Sequence, residues 1–171
     1  MSKLNVLFIC TGNSCRSQMA EAILKKTAGD KFNAFSAGSS PDLNKYPDTK
    51  GVNPRAYKIL KDNGYPVEDL HAKTWDEFLK HPEKIDFVFT LCDKAKQEID
   101  ELCPVFPGQP LNAHWGVFDP ALISGPEEEL DRVYRDVFVI IKRRIELFSS
   151  LPFSSLEDLA LQKEIDEIGK V

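Results

Sequence analysis

The 171-residue sequence has no long hydrophobic run, only three histidines and no excess of positive charge. Its first apolar stretch, Leu4 to Ile9, is too short for the h-region of a signal peptide and leads straight into Thr-Gly-Asn-Ser. No later stretch approaches the ~20 apolar residues that span a bilayer, so no membrane role and a cytoplasmic location are expected. A net charge of -5 and a pI near 5.3 give no global attraction for nucleic acid, and a DNA-binding role is disfavoured. The histidines, His71, His81 and His114, show no metal-ligand spacing with the cysteines. Four cysteines without a leader read as thiols with nucleophilic or redox work rather than as two bridges. Internal repeats and low-complexity segments are also missing.

What the chain has is 42% hydrophobic and 29% charged residues, enough for one good core. Leu4 to Ile9 reads as a strand buried on both faces, and Gln18 to Lys26 carries Met19, Ala22 and Ile23 at helical spacing. Phe32 to Ala37 reads as a second strand and Ser39 to Gly51 as an exposed loop. Asn53-Pro54 opens a helix that Asn63-Gly64 stops, and Thr74-Trp75-Asp76-Glu77 reads as a capping box. Ile85 to Leu91 is the next strand and delivers Cys92 at its end. Glu127 to Phe148 predicts a long helix with Leu130, Val133, Val137, Ile140, Ile141 and Ile145 on its apolar face. Ser154 or Ser155 caps a last helix, with Leu156, Leu159, Ile165 and Ile168 inward and Gly169 as its stop. Alternation of strands and helices predicts an α/β fold: a single domain whose parallel sheet of about four strands is covered on both faces, with ligands bound beyond the strands' carboxyl ends. Residues 1–148 form this domain, and 149–171 a C-terminal helical extension packed on it.

Cys10 sits where the first strand meets the first helix, in the window Cys10-Thr11-Gly12-Asn13-Ser14-Cys15-Arg16-Ser17. A loop leaving a strand and entering a helix aims successive backbone N–H groups inward, where the helix dipole adds partial positive charge. Thr11 to Arg16 thus form a cradle for a phosphate-shaped anion. The same field, with Arg16, favours the reactive thiolate at Cys10. A lone cysteine after an apolar strand is usually a buried small hydrophobe. Gly12 and Asn13, which tolerate φ > 0, the hydroxyls of Ser14 and Ser17, and Arg16 six positions on argue for a nucleophile with its stabilisers.

Asp119-Pro120 follows a proline-rich stretch, Pro104 to Pro110, and His114-Trp115-Gly116. Asp119 is a candidate acid for a leaving oxygen, although Asp-Pro is also a plain turn starter. Cys92 and Cys103 are separated by ten residues. Were that segment helical, their Cα atoms would lie ~16 Å apart against the ~5.5 Å of a disulfide, so bridging requires it to unwind. Two core thiols and a redox pair are both consistent with the residues.

The ordered set Cys10 to Glu21, Ser36-Ala37-Gly38, Gly51-Val52-Asn53-Pro54, Thr90-Leu91-Cys92, Cys103-Pro104, His114-Trp115-Gly116 and Asp119-Pro120-Ala121 resembles the cysteine-dependent arsenate reductases of the low-molecular-weight protein tyrosine phosphatase superfamily. The likeness spans about residues 3 to 148. It implies that Cys10 attacks arsenate held by the loop and Arg16, that Asp119 protonates the departing oxygen, and that Ser17 supports the thiolate. It further implies that Cys92 attacks Cys10 and releases arsenite, and that Cys103 attacks Cys92, leaving a disulfide for an external reductant. The Cys92 to Cys103 interval is longer than in thioredoxin-coupled members, so thioredoxin and a glutathione or glutaredoxin route both stay open. No bound cofactor is implied. Asn13, Glu21 and Ser36 match positions that hold potassium in the family, while Thr74 stands where an acidic partner belongs. The loop Ser39 to Gly51 is longer than usual.

Two other functions fit the same residues. A phosphatase acting through a Cys10 phosphocysteine needs the cradle, Arg16 and Asp119 but only water afterwards. A second and third thiol favour reduction, and Ala121 stands where such phosphatases carry an aromatic. An oxyanion or redox sensor without turnover is the third reading.

Overall fold

The structure, a computed structural model, describes residues 2–81, 83–102 and 106–171. Strands β1 (Leu4–Cys10), β2 (Phe32–Gly38), β3 (Phe87–Thr90) and β4 (Leu111–His114) form one parallel sheet in the order β2-β1-β3-β4. Alternation along the strands sends Val6, Phe8, Phe87 and Phe89 to one face and Leu7, Ile9 and Val88 to the other. The first face is covered by α1 (Arg16–Ala28), α2 (Pro54–Asp62), α5 (Glu127–Ser149) and α6 (Asp158–Ile168). The second is covered by α3 (Asp76–Leu79) and α4 (Asp93–Leu102), through Trp75, Phe78 and Ala95. Both faces of β1 are therefore dry, which is why its sequence is almost unbroken apolar residues.

The strand order reverses at β1. Its chain neighbour β2 lies on one side and β3 on the other, so the loops that leave β1 and β3 diverge and open a crevice at their carboxyl ends. Cys10 ends β1, and Cys92 follows β3 by two residues. Topology, not sequence proximity, brings the two thiols to one crevice.

An aromatic cluster beneath the sheet fixes the segment after β4. Phe148 is fully buried with its ring centroid 5.1 Å from Phe32, Phe87 and Phe89 and 5.8 Å from Trp115. Truncating such a ring costs about 3–5 kcal/mol. Trp115 stacks on Phe89 and donates its indole N–H to Ile165 O in α6 at 2.9 Å. Buried Arg144 of α5 donates to Trp115 O at 2.7 Å and Gly116 O at 3.0 Å. The last two helices thus clamp the segment that leads to Asp119.

Several local expectations change. Helix α6 starts at Asp158, not at a Ser154 or Ser155 cap, and this puts Leu161, Ile165 and Ile168 on its buried stripe while Leu159 is 86% exposed. Ile140 is exposed because the stripe of α5 runs through Val137, Ile141, Ile145 and Phe148. The Thr74 to Glu77 box does not close: Thr74 Oγ1 accepts from Asp76 N at 3.1 Å, and α3 lasts only four residues. The third strand is shorter than Ile85 to Leu91, running Phe87–Thr90 opposite the four residues of β4. No helix among the described residues is long and apolar enough to cross a membrane.

Candidate active site

The loop from Cys10 to Arg16 turns its carbonyls outward onto protein donors. Cys10 O accepts from Ser39 N at 3.2 Å, Thr11 O from Ser40 N at 3.0 Å, and Ser14 O from Asn53 N at 2.8 Å. Asn13 O accepts from Gln18 Nε2 at 2.9 Å, and Cys15 O from Met19 N at 2.9 Å. In a planar trans peptide the following N–H points opposite to the carbonyl. The N–H groups of Thr11, Gly12, Ser14, Cys15 and Arg16 are therefore aimed at the concave side, at the start of α1, an arrangement suited to an anion.

The loop closes because Asn13, not Gly12, takes the left-handed conformation, with φ 50°. Its side chain holds it there: Oδ1 accepts from Lys73 N at 2.9 Å and Gln18 Nε2 at 3.1 Å, while Nδ2 donates to Ser17 Oγ at 2.8 Å. Ser17 Oγ lies in turn 2.9 Å from Cys10 Sγ, and Asn13, Ser17 and Cys10 are all buried. Gly38 at the end of β2 has a different job. A Cβ there would stand 2.6 Å from Thr11 O, so only glycine lets the loop pass. Asn53 caps α2, accepting from Arg55 N at 2.9 Å and Ala56 N at 3.2 Å, and its own N–H anchors the loop at Ser14.

Arg16 and Asp119 face each other across the mouth of the cradle. Arg16 Nη1 donates to Val117 O at 3.0 Å and Leu91 O at 3.4 Å, and Nη2 lies 3.4 Å from Asp119 Oδ2. The other carboxylate oxygen of Asp119 accepts from Ala121 N at 3.0 Å, capping a short 3-10 turn over Pro120–Leu122. Asp119 thus starts the turn with one oxygen and faces Arg16 with the other.

Cys92 lines the same cleft. Its sulfur lies 3.4 Å from Thr11 Oγ1 and accepts from Ala95 N at 3.4 Å in the first turn of α4. Among the described cysteines, Cys10, Cys15 and Cys92 are free thiols. Burial, reinforced by the nearby Cys10 and Asp119, pushes the Cys15 thiol well above the ordinary range, so it is held protonated in the cradle wall. Cys103 lies outside the described residues. The segment between the thiols is helical, α4 running Asp93–Leu102.

Glu21 and Ser36 lie together with a lysine ammonium beside them, and Asn13 accepts from the main-chain N–H of the same lysine. Lys73 Nζ is 3.5 Å from Glu21 Oε1, 3.4 Å from Ser36 Oγ and 2.9 Å from His71 O, and Ser36 Oγ donates to Glu21 Oε1 at 2.8 Å. Sequence reading passed over Lys73, a lysine in an irregular stretch with no periodicity to mark it as buried. It also passed over Lys45, Tyr46, Lys94 and Phe118, which line the cleft from loops and from the start of α4. His114 links the two later strands to α4, with Nδ1 2.8 Å from Thr90 Oγ1 and Nε2 2.9 Å from Asp93 Oδ1.

The family model described as low molecular weight phosphotyrosine protein phosphatase matches residues 5–156. A curated arsenate reductase of Halalkalibacterium halodurans is 40% identical over 149 residues, covering 87% of this chain and 97% of that protein. Among solved structures, a low molecular weight protein tyrosine phosphatase from T. tengcongensis matches with a TM-score of 0.61 at 27% identity, over 84% of this chain and 99% of that one. A thioredoxin-dependent arsenate reductase from Corynebacterium glutamicum matches with a TM-score of 0.56 at 25% identity, over 90% of this chain and 64% of that one.

Proposed function

This chain belongs to the low molecular weight phosphotyrosine protein phosphatase family, and from that premise we propose that it is an arsenate reductase working through Cys10, Cys92 and Cys103. Arsenate occupies the cradle, its oxygens on the inward N–H groups and on Arg16. The Cys10 thiolate attacks arsenic, and Asp119 gives its proton to the departing oxygen, which leaves as water. Cys92 then attacks Cys10 Sγ. The electron pair of the sulfur–arsenic bond stays on arsenic, which leaves as arsenite, and a Cys10–Cys92 disulfide records the two electrons lost by the thiols.

Cys103 attacks Cys92 Sγ in the third step, freeing Cys10 and passing the disulfide to Cys92 and Cys103. Ten helical residues would keep this pair ~16 Å apart, so α4 opens during the cycle. An external thiol reductant then restores both thiols. The Corynebacterium protein named as thioredoxin-dependent supports thioredoxin, and glutathione with glutaredoxin is the competing source of electrons.

The observation that carries this reading is the position of Cys92, a thiol within 3.4 Å of the residue that follows the nucleophile. Hydrolysis has no use for it. The direct test is arsenite formation from arsenate with a thiol reductant: wild type forms arsenite over many turnovers and Cys10→Ser forms none. Arsenate left unreduced by the wild type with either reductant system would sink the proposal. Tyr46 and Phe118 at the cleft favour a second, lesser activity, weak hydrolysis of aryl phosphates through the same Cys10.

A further inference from the structure

The positions to which the family resemblance assigns a potassium ion do not fit an added cation in this chain. Glu21 and Lys73 are 8% and 7% exposed, and the Lys73 ammonium already faces the buried carboxylate, Ser36 Oγ and His71 O. A second cation there would meet a like charge in a site with little water to screen it. Asn13 Oδ1 is committed to Lys73 N and Gln18 Nε2, and Thr74 Oγ1 to Asp76 N.

We propose that Lys73 is a positioning residue whose ammonium serves as a tethered cation for the oxyanion cradle, making this protein independent of potassium. The inference rests on Cys10 as the nucleophile and not on arsenate as its substrate. Lys73 acts at two points. Its ammonium neutralises Glu21, projecting from α1, and ties that helix to Ser36 on β2. Its main-chain N–H holds Asn13 Oδ1, from which the chain of contacts runs through Asn13 Nδ2 and Ser17 Oγ to Cys10 Sγ, at 2.9, 2.8 and 2.9 Å in turn. Securing the side chain therefore secures the left-handed residue at the turn of the loop and the hydroxyl beside the nucleophile. Burial pulls the lysine below its ordinary pKa range, and the Glu21 carboxylate opposes that pull. An ammonium and a potassium ion are similar in size and both are satisfied by oxygen ligands, so one can stand in for the other.

The test compares wild type, Lys73→Ala and Lys73→Met in potassium chloride and in choline chloride at equal ionic strength. Three readouts are taken: the rate of Cys10 alkylation by iodoacetamide, mapped by mass spectrometry, arsenate turnover, and the thermal unfolding midpoint. Wild type is expected to be the same in both salts by every readout. Lys73→Ala, which opens room, is expected to lose alkylation rate and turnover by roughly tenfold or more in choline, the scale of one hydrogen bond to a charged group, and to regain most of both in potassium. Lys73→Met fills the space without charge and is expected to lose the same and regain nothing. Stimulation of wild type by potassium, full rates in Lys73→Met, or a Lys73→Ala defect that potassium leaves unchanged would each overturn the proposal. Stimulation of the wild type by potassium overturns the proposal even where a variant fails to fold. Alkylation involves no arsenate, so a wild type that alkylates as expected but does not reduce arsenate leaves this inference standing and removes the proposed function.

Discussion

Thr11 Oγ1 and Cys92 Sγ stand 3.4 Å apart, although 81 positions separate them in the chain. Thr11 begins the loop after β1 and Cys92 ends the segment after β3, and these two strands are hydrogen-bonded neighbours with Ile9 opposite Thr90. The contact brings a second sulfur to the rim of the loop that holds the first, the arrangement that the proposed thiol relay requires.

Asp119 is expected to act in the chemical step rather than in shaping the loop. Asp119→Asn keeps an oxygen to accept from Ala121 N, so the 3-10 turn survives, but it removes the proton donor opposite Arg16. The turnover number for arsenate should fall by roughly 10²–10⁴-fold, the usual worth of a positioned acid. Alkylation of Cys10 should be little changed. Turnover within a few-fold of wild type would reduce Asp119 to a turn residue.

Cys15 is expected to stay silent next to its reactive neighbour. Its folded-state pKa lies above the ordinary thiol value of 9.0, while the unfolded chain ionises near that value. Between the two, the folded state binds more protons than the unfolded state, so the stability due to Cys15 is fully present below pH 9 and declines as pH rises further. Peptide mapping after iodoacetamide at neutral pH should find Cys10 modified and Cys15 unmodified. Urea midpoints should fall less steeply above pH 9 in Cys15→Ala than in wild type. Labelling of Cys15 at the rate of Cys10 would contradict the assignment.

Most of this architecture is written in local pattern. The apolar run into Cys10, the Asn53-Pro54 cap and, Ile140 apart, the spacing along α5 each act within a few residues, and each is seen where it is expected. Strand β4 leaves little trace, because Leu111-Asn112-Ala113-His114 is short and half polar, and it pairs only since β3 offers an open edge. Leu159 is exposed because the buried stripe of α6 runs through Leu161, Ile165 and Ile168, and Leu159, nine residues before Ile168, falls on the opposite side of the helix. In the site, Cys10, Arg16 and Ser17 are legible because the loop that holds them is continuous. Lys73 is not, since its burial depends on Glu21 and Ser36, which are brought to it by α1 and β2 from more than 35 residues away.

Cys103 is expected to choose the electron donor. Cys103→Ser should lose arsenate turnover with thioredoxin and thioredoxin reductase, because no second disulfide partner takes Cys92 from Cys10. The same variant should keep turnover with glutathione and glutaredoxin, which can resolve a disulfide from outside. Equal turnover with thioredoxin in variant and wild type would take Cys103 out of the relay.

The account stands or falls on Cys92, and the measurement is a side-by-side assay of arsenate reduction and aryl-phosphate hydrolysis in wild type and Cys92→Ser. Reduction in the variant is predicted to drop to background, with the sulfur–arsenic adduct left on Cys10, while hydrolysis of the aryl phosphate persists because cradle, Arg16 and Asp119 are intact. Arsenate reduction by Cys92→Ser at the wild-type rate would contradict the relay.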